Sequence, residues 1–226
     1  MKLVVTGGAG FIGSHLCLRL LTQGHHVIAY DNLSLGQMKF LEPCLGFDKF
    51  KFVQNDLLDL NAVKENFKGA ERVWHLAANS DIAAGGLTTD VDLKKGTIAT
   101  YNVLEAMRVN NVSEFVFSST SAIYGEALVK PTPENYGPLL PISFYGASKL
   151  ACEALATAFA HNFKMRVWIF RFANIVGSHA THGAIHDFIK KLRKNPNQLE
   201  ILGDGRQAKS YLHVEDCLDA MELALQ

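Results

Sequence analysis

Apolar and polar positions along this chain change rhythm repeatedly. "KLVVTGG" is a short continuous apolar run ending in glycines. "FIGSHLCLRLLTQG" then spaces Phe11, Ile12, Leu16, Leu20 and Leu21 at helical intervals and stops at Gly24. Strand-like runs follow at "HVIAYD", a weaker "KFVQND" around Phe52, "ERVWHLAA", "SEFVFSST" and "MRVWIFRFANI". Helical spacing predicts helices over 60–68, 96–108 and 148–163. Strands alternating with helices predict βαβ units, hence an α/β fold with a doubly wound parallel sheet and helices on both faces. "KPTPENYGPLLP", Lys130 to Pro141, holds four of the six prolines and reads as a surface loop. Past Asn174 the rhythm loosens: a helix over 186–194, a short strand over 200–202 and a last helix over 214–225 are expected. The expected division is a first domain over 1–173 and a small, partial lobe over 174–226.

Composition changes this picture little. Nearly half of the 226 residues are apolar, enough for a substantial core. Acids and bases balance at 22 each, so charge favours neither nucleic acid nor an anionic membrane as partner. Cys17, Cys44, Cys152 and Cys217 are scattered and read as reduced thiols, as in a cytoplasmic protein. No apolar run reaches membrane-spanning length, and "LVVTGG" after Lys2 is too short for a secretory signal. His179, His182 and His186 lie close together, but no acid or cysteine completes a tetrahedral set, so no metal is expected. "KKLRK", Lys190 to Lys194, reads as a solvated helix terminus.

The chemistry begins at the first strand-to-helix turn. Gly7, Gly10 and Gly13 there would provide a tight turn, close backbone approach to a pyrophosphate and close helix-on-strand packing. The helix N-terminus would present free N–H groups to the phosphates. Asp31 ends the second strand, about 20 residues on, where a carboxylate accepts from ribose hydroxyls and repels a 2′-phosphate; this favours NAD over NADP. Asp56, ending the third strand, is placed either to meet the adenine or to cap the helix before "LLDLNAV".

The G-x-x-G-x-x-G spacing, with "TGGAGFIGSHL", "YDNLSLG", "HLAA", "NVLEA", "FVFSSTSAIYGE", "YGASK", "RFANIVG" and "SYLHVED" in that order, resembles the extended short-chain dehydrogenase/reductases. Among them it is most similar to the NAD-dependent epimerase/dehydratase family and its UDP-sugar 4-epimerases. The resemblance implies a Rossmann domain holding NAD through Gly7, Gly10, Phe11, Ile12, Gly13, Asp31, Asn32, Asp56, Leu57, Leu76, Ala77, Ala78, Tyr145, Lys149 and Phe172. It implies a homodimer built on the helices over 96–108 and 148–163. It also implies more chain after "HVED" than the single helix that ends at Gln226, so the substrate lobe is expected to be partial.

Tyr145 and Lys149 are four apart and share a helix face. A tyrosine is a poor base near neutrality, and adjacent positive charge, from the lysine and from oxidised nicotinamide, is expected to favour its phenolate. The resemblance gives Lys149 a bond to the nicotinamide ribose and makes Thr120 the hydroxyl that orients the reacting sugar oxygen. Ser118, Ser119 and Ser121 read as strand-end caps. The two residues after Thr120 are an Asp–Glu pair in the family's sugar-nucleotide 4,6-dehydratases; here they are Ser121 and Ala122, neither of them an acid or base near neutrality. That points to C4 epimerisation of a UDP-sugar, of the UDP-glucose/UDP-galactose type, through a transient 4-keto sugar. The alternatives are a dehydratase, decarboxylase or reductase of the same family, or a non-catalytic NAD-binding module. Tyr124 is expected to wall the sugar pocket, with core packing as the alternative; the resemblance puts Asn174 and Lys209 on the substrate diphosphate, with a turn asparagine after the sixth strand as the alternative for Asn174. Ser80 replaces a lysine of some relatives, and Gly96 replaces a common asparagine.

Overall fold

The computed structural model describes residues 1–79 and 82–226. The chain forms two compact units, Met1–Phe172 and Ala173–Gln226. The Ser80 substitution lies outside the described residues.

In the first unit six strands, β1 (Lys2–Thr6), β2 (His26–Asp31), β3 (Phe50–Gln54), β4 (Arg72–His75), β5 (Glu114–Thr120) and β6 (Arg166–Phe172), form one parallel sheet in the order β3-β2-β1-β4-β5-β6. The order reverses between β1 and β4, the switch point at whose carboxyl edge such sheets bind ligands. The central strands are continuous apolar runs because both faces are covered; β3 and β6, at the edges, are only half-buried. The helices are α1 (Phe11–Thr22), α2 (Leu60–Asn66), α3 (Ile82–Leu87), α4 (Ala99–Val109) and α5 (Phe144–Phe163). One core packs Val103, Leu104 and Met107 of α4 and Cys152 and Ala156 of α5 with Val4, Phe115 and Phe117 of the sheet. Each fully buried phenylalanine there contributes on the order of 2–3 kcal/mol.

Two helices depart from the sequence expectation. Helix α5 begins at Phe144 rather than Ser148, because Ser143 caps it: the Gly146 N–H donates to the Ser143 hydroxyl at 3.0 Å. Tyr145 therefore sits in the first turn and Lys149 in the second. The helix expected over 96–108 opens as a π-helix, Leu93–Ile98, before α4. A Cβ on Gly96 would strike the Ser148 hydroxyl, so the glycine lets α5 approach this wider turn.

In the second unit β7 (Asn174–Val176) and β8 (Tyr211–His213) pair in parallel, with helices α6 (Ala184–Lys194) and α7 (Val214–Ala224). The strand expected over 200–202 does not form: these exposed residues have no ladder partner and run into Gly203 and Gly205, both at positive φ. All four cysteines are free and buried. Among the described residues no helix is long and apolar enough to cross a membrane.

Candidate active site

The turn between β1 and α1 is made by absent side chains. Gly7 has φ +70°, and a Cβ on it would lie 2.8 Å from the Ala77 backbone nitrogen. A Cβ on Gly13 would run into the Gly7 carbonyl, so the helix rests directly on the turn. Gly10 is the N-cap of α1, without a side-chain cap, and the first turn carries no acid. Phe11 and Ile12, half-buried, follow in that turn. An N-terminus not neutralised by its own side chains suits a pyrophosphate.

At the neighbouring strand end, Asp31 is buried and accepts from the Ala9 N–H at 3.0 Å and the Leu33 N–H at 2.8 Å. Burial pushes its carboxyl up, and these two bonds work against that shift. A carboxylate has about four acceptor sites, so capacity remains for ribose hydroxyls. Asn32 donates to the Asp56 carboxylate at 2.8 Å, which joins the ends of β2 and β3. Asp56 does not cap α2; Asp59 does, accepting from the Ala62 N–H at 3.0 Å. Asp56 instead accepts from the Leu58 N–H, a local turn bond. The buried Leu57 is held through its carbonyl by Asn102 at 2.8 Å. Leu76, Ala77 and Ala78, half-buried, leave β4 beside the glycine turn, where the Leu76 N–H donates to the Thr6 carbonyl.

Across the switch point Thr120, Tyr145 and Lys149 come together. The Thr120 hydroxyl stands near the Tyr145 phenol and acts to lower it, and it accepts from the Ala122 N–H at 3.1 Å. Thr120, rather than its serine neighbours, is thus the strand-end cap. Ser118 and Ser119 have other partners: Ser118 donates to the His75 carbonyl, and Ser119 to the Glu153 carboxylate at 2.5 Å. Lys149 is buried, donates to the Ser118 carbonyl at 2.5 Å, and lies 6.0 Å from the centre of the Tyr145 ring. Burial pushes its ammonium down to about 8. One of its three donors is used there, so others can serve a ribose.

Within the chain itself burial outweighs the Thr120 hydroxyl at Tyr145; the lowering expected from Lys149 together with oxidised nicotinamide concerns the NAD-bound protein. Burial pushes the phenol up; the Thr120 hydroxyl opposes this, and nearby Asp92 and Cys152 add to it.

Three features went unread in the sequence. His75 is fully buried between Thr6 (2.6 Å) and Thr100 (2.9 Å), stacked on Phe115 and Phe117. Burial and the Lys149 charge push it down to about 3, so it is neutral. Asp92 is buried, takes a bond from Asn79 at 3.1 Å and, among the described residues, leaves one carboxylate oxygen without a partner. Arg171 forms a forked pair with the buried Glu153 and reaches Tyr124. The quoted "HLAA" and "RFANIVG" contain His75 and Arg171, but nothing local marks their partners.

Phe172 ends β6 in register with Thr120. In the second unit Asn174 donates to the Ser210 carbonyl at 3.0 Å and so ties the start of β7 to the approach of β8, while Lys209 is exposed. Among the described residues no group of three or more His, Cys, Asp or Glu side chains could hold a metal ion.

Comparison with known proteins sets this geometry in context. The profile of the "NAD dependent epimerase/dehydratase family" matches residues 3–226. The UDP-glucose 4-epimerase of Mycolicibacterium smegmatis is 33% identical over 97% of this chain and 72% of its own. The crystal structure of UDP-glucose 4-epimerase with UDP-glucose from Thermotoga maritima superposes with a TM-score of 0.92 at 34% identity, over 100% of this chain and 74% of that one. A dTDP-glucose 4,6-dehydratase from Streptomyces venezuelae, with NAD bound, gives 0.92 at 29% identity, over 100% of this chain and 72% of that one.

Proposed function

This chain belongs to the NAD dependent epimerase/dehydratase family, and we propose that it acts as a UDP-sugar 4-epimerase of the UDP-glucose/UDP-galactose type, with NAD as resident cofactor. The observation that carries this reading is the hydroxyl pair Thr120–Tyr145 backed by Lys149, followed by Ser121 and Ala122. Oxidation and re-reduction at one carbon needs a base, an orienting hydroxyl and a hydride acceptor. Elimination of water needs a further acid and base, which those two residues do not supply.

The fit to NAD rests on the uncapped α1 terminus, the glycine turn that side chains would fill, and the Asp31 carboxylate. In this reading Gly7, Gly10, Phe11, Ile12 and Gly13 hold the pyrophosphate, Asp31 and Asn32 the adenosine ribose, and Asp56 and Leu57 the adenine. Leu76, Ala77, Ala78 and Phe172 line the run toward the nicotinamide, whose ribose Lys149 binds. Bound NAD supplies a hydride acceptor, and later donor, for C4 of the sugar, together with a positive charge. The Tyr145 oxygen takes the 4-hydroxyl proton as the C4 hydride leaves, which gives a ketone, and returns the proton when hydride is delivered to the opposite face. Thr120 keeps the sugar oxygen within reach of Tyr145. Tyr124 walls the sugar.

The assembly we propose is a homodimer through α4 and α5, supported by the exposed Tyr101, Val109 and Phe163 on these helices. Buried reduced thiols agree with a cytoplasmic location. Incubation of the purified protein with UDP-glucose tests the function: UDP-galactose forms and no NADH accumulates. Net NADH, or a dehydrated keto-sugar, would overturn it.

A further inference from the structure

The loop from Glu126 to Leu139 joins the two halves of the catalytic group. It leaves just after Thr120 and Tyr124 and returns just before Ser143 and Tyr145. Its ends meet: Gly125, at φ +61°, packs against the Leu140 carbonyl, and a Cβ on Gly146 would lie 2.8 Å from the Ala122 carbonyl and 3.0 Å from Pro141. Inside it, the Leu128 N–H donates to the Tyr136 hydroxyl at 3.2 Å, and the Tyr136 ring meets the Tyr124 ring edge-on at 6.1 Å.

One cation fastens this loop. Arg171 lies on β6 in register with Ser119, its guanidinium forked onto Glu153 at 2.8 and 3.1 Å. Glu153 is 6% exposed and also accepts from Ser119. The other arm of the fork, Nη1, donates to the Tyr124 hydroxyl at 2.9 Å and to the Glu134 carbonyl at 2.8 Å. Its carbon stands 5.2 Å from the Tyr124 ring centre. A lysine could keep the charge on Glu153 but has no planar fork to reach both sides.

We propose that Arg171 is a positioning residue for sugar recognition. Seated on Glu153, it fixes Tyr124 and the 126–139 loop beside the Thr120–Tyr145 pair, and so governs affinity for the substrate rather than the transfer step. This rests on the epimerase reading for its substrate, but the anchoring itself does not.

The test uses Arg171→Lys, which leaves Glu153 paired, and Tyr124→Phe, which leaves the Glu153–Arg171 pair and the Glu134 bond intact. In Arg171→Lys, amide hydrogens of the loop exchange with deuterium about ten times faster, while those of β1 and β5 are unchanged. For UDP-glucose, KM rises about tenfold and kcat stays within about twofold. Tyr124→Phe raises KM by about threefold with loop exchange as in the wild type. Unchanged loop exchange in Arg171→Lys overturns the anchor, whatever the reaction. Faster exchange with a fall in kcat at constant KM overturns the recognition role. If the wild type turns over no UDP-sugar, the function reading fails, and loop exchange still decides the anchor. If Arg171→Lys does not fold, an unaltered KM in Tyr124→Phe overturns the proposal.

Discussion

The glycine turn after β1 and the hydroxyl group after β5 stand at the same edge of one sheet but are built in opposite ways. The first is defined by what is missing: Gly7, Gly10 and Gly13 leave backbone N–H groups and a helix end to do the work. Its geometry is complete in the chain itself. The second is assembled from side chains, Thr120, Tyr145 and Lys149 on β5 and α5, where burial pushes the Tyr145 phenol up. A shape can be preformed by the chain; in the proposed reading, the charge that makes Tyr145 a base arrives with NAD.

The widest separation between the two regions comes from single substitutions. Tyr145→Phe should lower kcat by about 10²–10⁴-fold, the range for a lost acid–base group, with melting temperature and NAD content unchanged. A fall of less than about tenfold would place the base elsewhere. Gly7→Ala should do the reverse and strike the fold. Positive φ and collision with Ala77 together cost about 2–4 kcal/mol, visible as a lower melting temperature and loss of bound NAD. An alanine variant that melts with the wild type and keeps its NAD would remove the steric argument.

His75, which lies between the two regions, gives a smaller, pH-dependent effect. Its imidazole is held at about 3 when folded, against about 6.5 when unfolded. The unfolded chain therefore binds the extra proton, so stability is intact above pH 6.5 and declines as pH falls toward 3. The slope reaches about 1.4 kcal/mol per pH unit, and denaturant midpoints of the wild type minus those of His75→Gln should show it. Parallel pH profiles would contradict it. Smallest is the π-turn: Gly96→Ala should cost about 1–2 kcal/mol against the Ser148 hydroxyl, and under about 0.5 kcal/mol in a Ser148→Ala background. Additive costs would show that the two do not touch.

What the sequence yields and what it withholds follow the same division. Alternating apolar runs and glycine punctuation are local signals, so the six strands and the glycine turn can be read directly. The start of α5 is missed because the apolar spacing begins later than the cap at Ser143. Asp56, the cap read from the sequence, is displaced by Asp59, three residues on, whose side chain takes the Ala62 N–H. Residues 200–202 have strand-like side chains but lack a neighbour, while Asn174–Val176 and Tyr211–His213 find each other across a long separation. The Glu153–Arg171–Tyr124 connections likewise join residues far apart in sequence, with no periodicity to announce them. Relatives in the same family include a dehydratase, so the reaction itself is argued from Ser121 and Ala122 and not from the fold.

The most direct test of the central claim is the ionisation of Tyr145, read as the ultraviolet difference titration of wild type minus Tyr145→Phe, first on protein stripped of dinucleotide and then with NAD⁺ restored. The phenol should titrate above the ordinary tyrosine value in the stripped protein and fall below it once NAD⁺ binds. A phenol already acidic before NAD⁺ is added, or one that NAD⁺ leaves unmoved, would contradict the account.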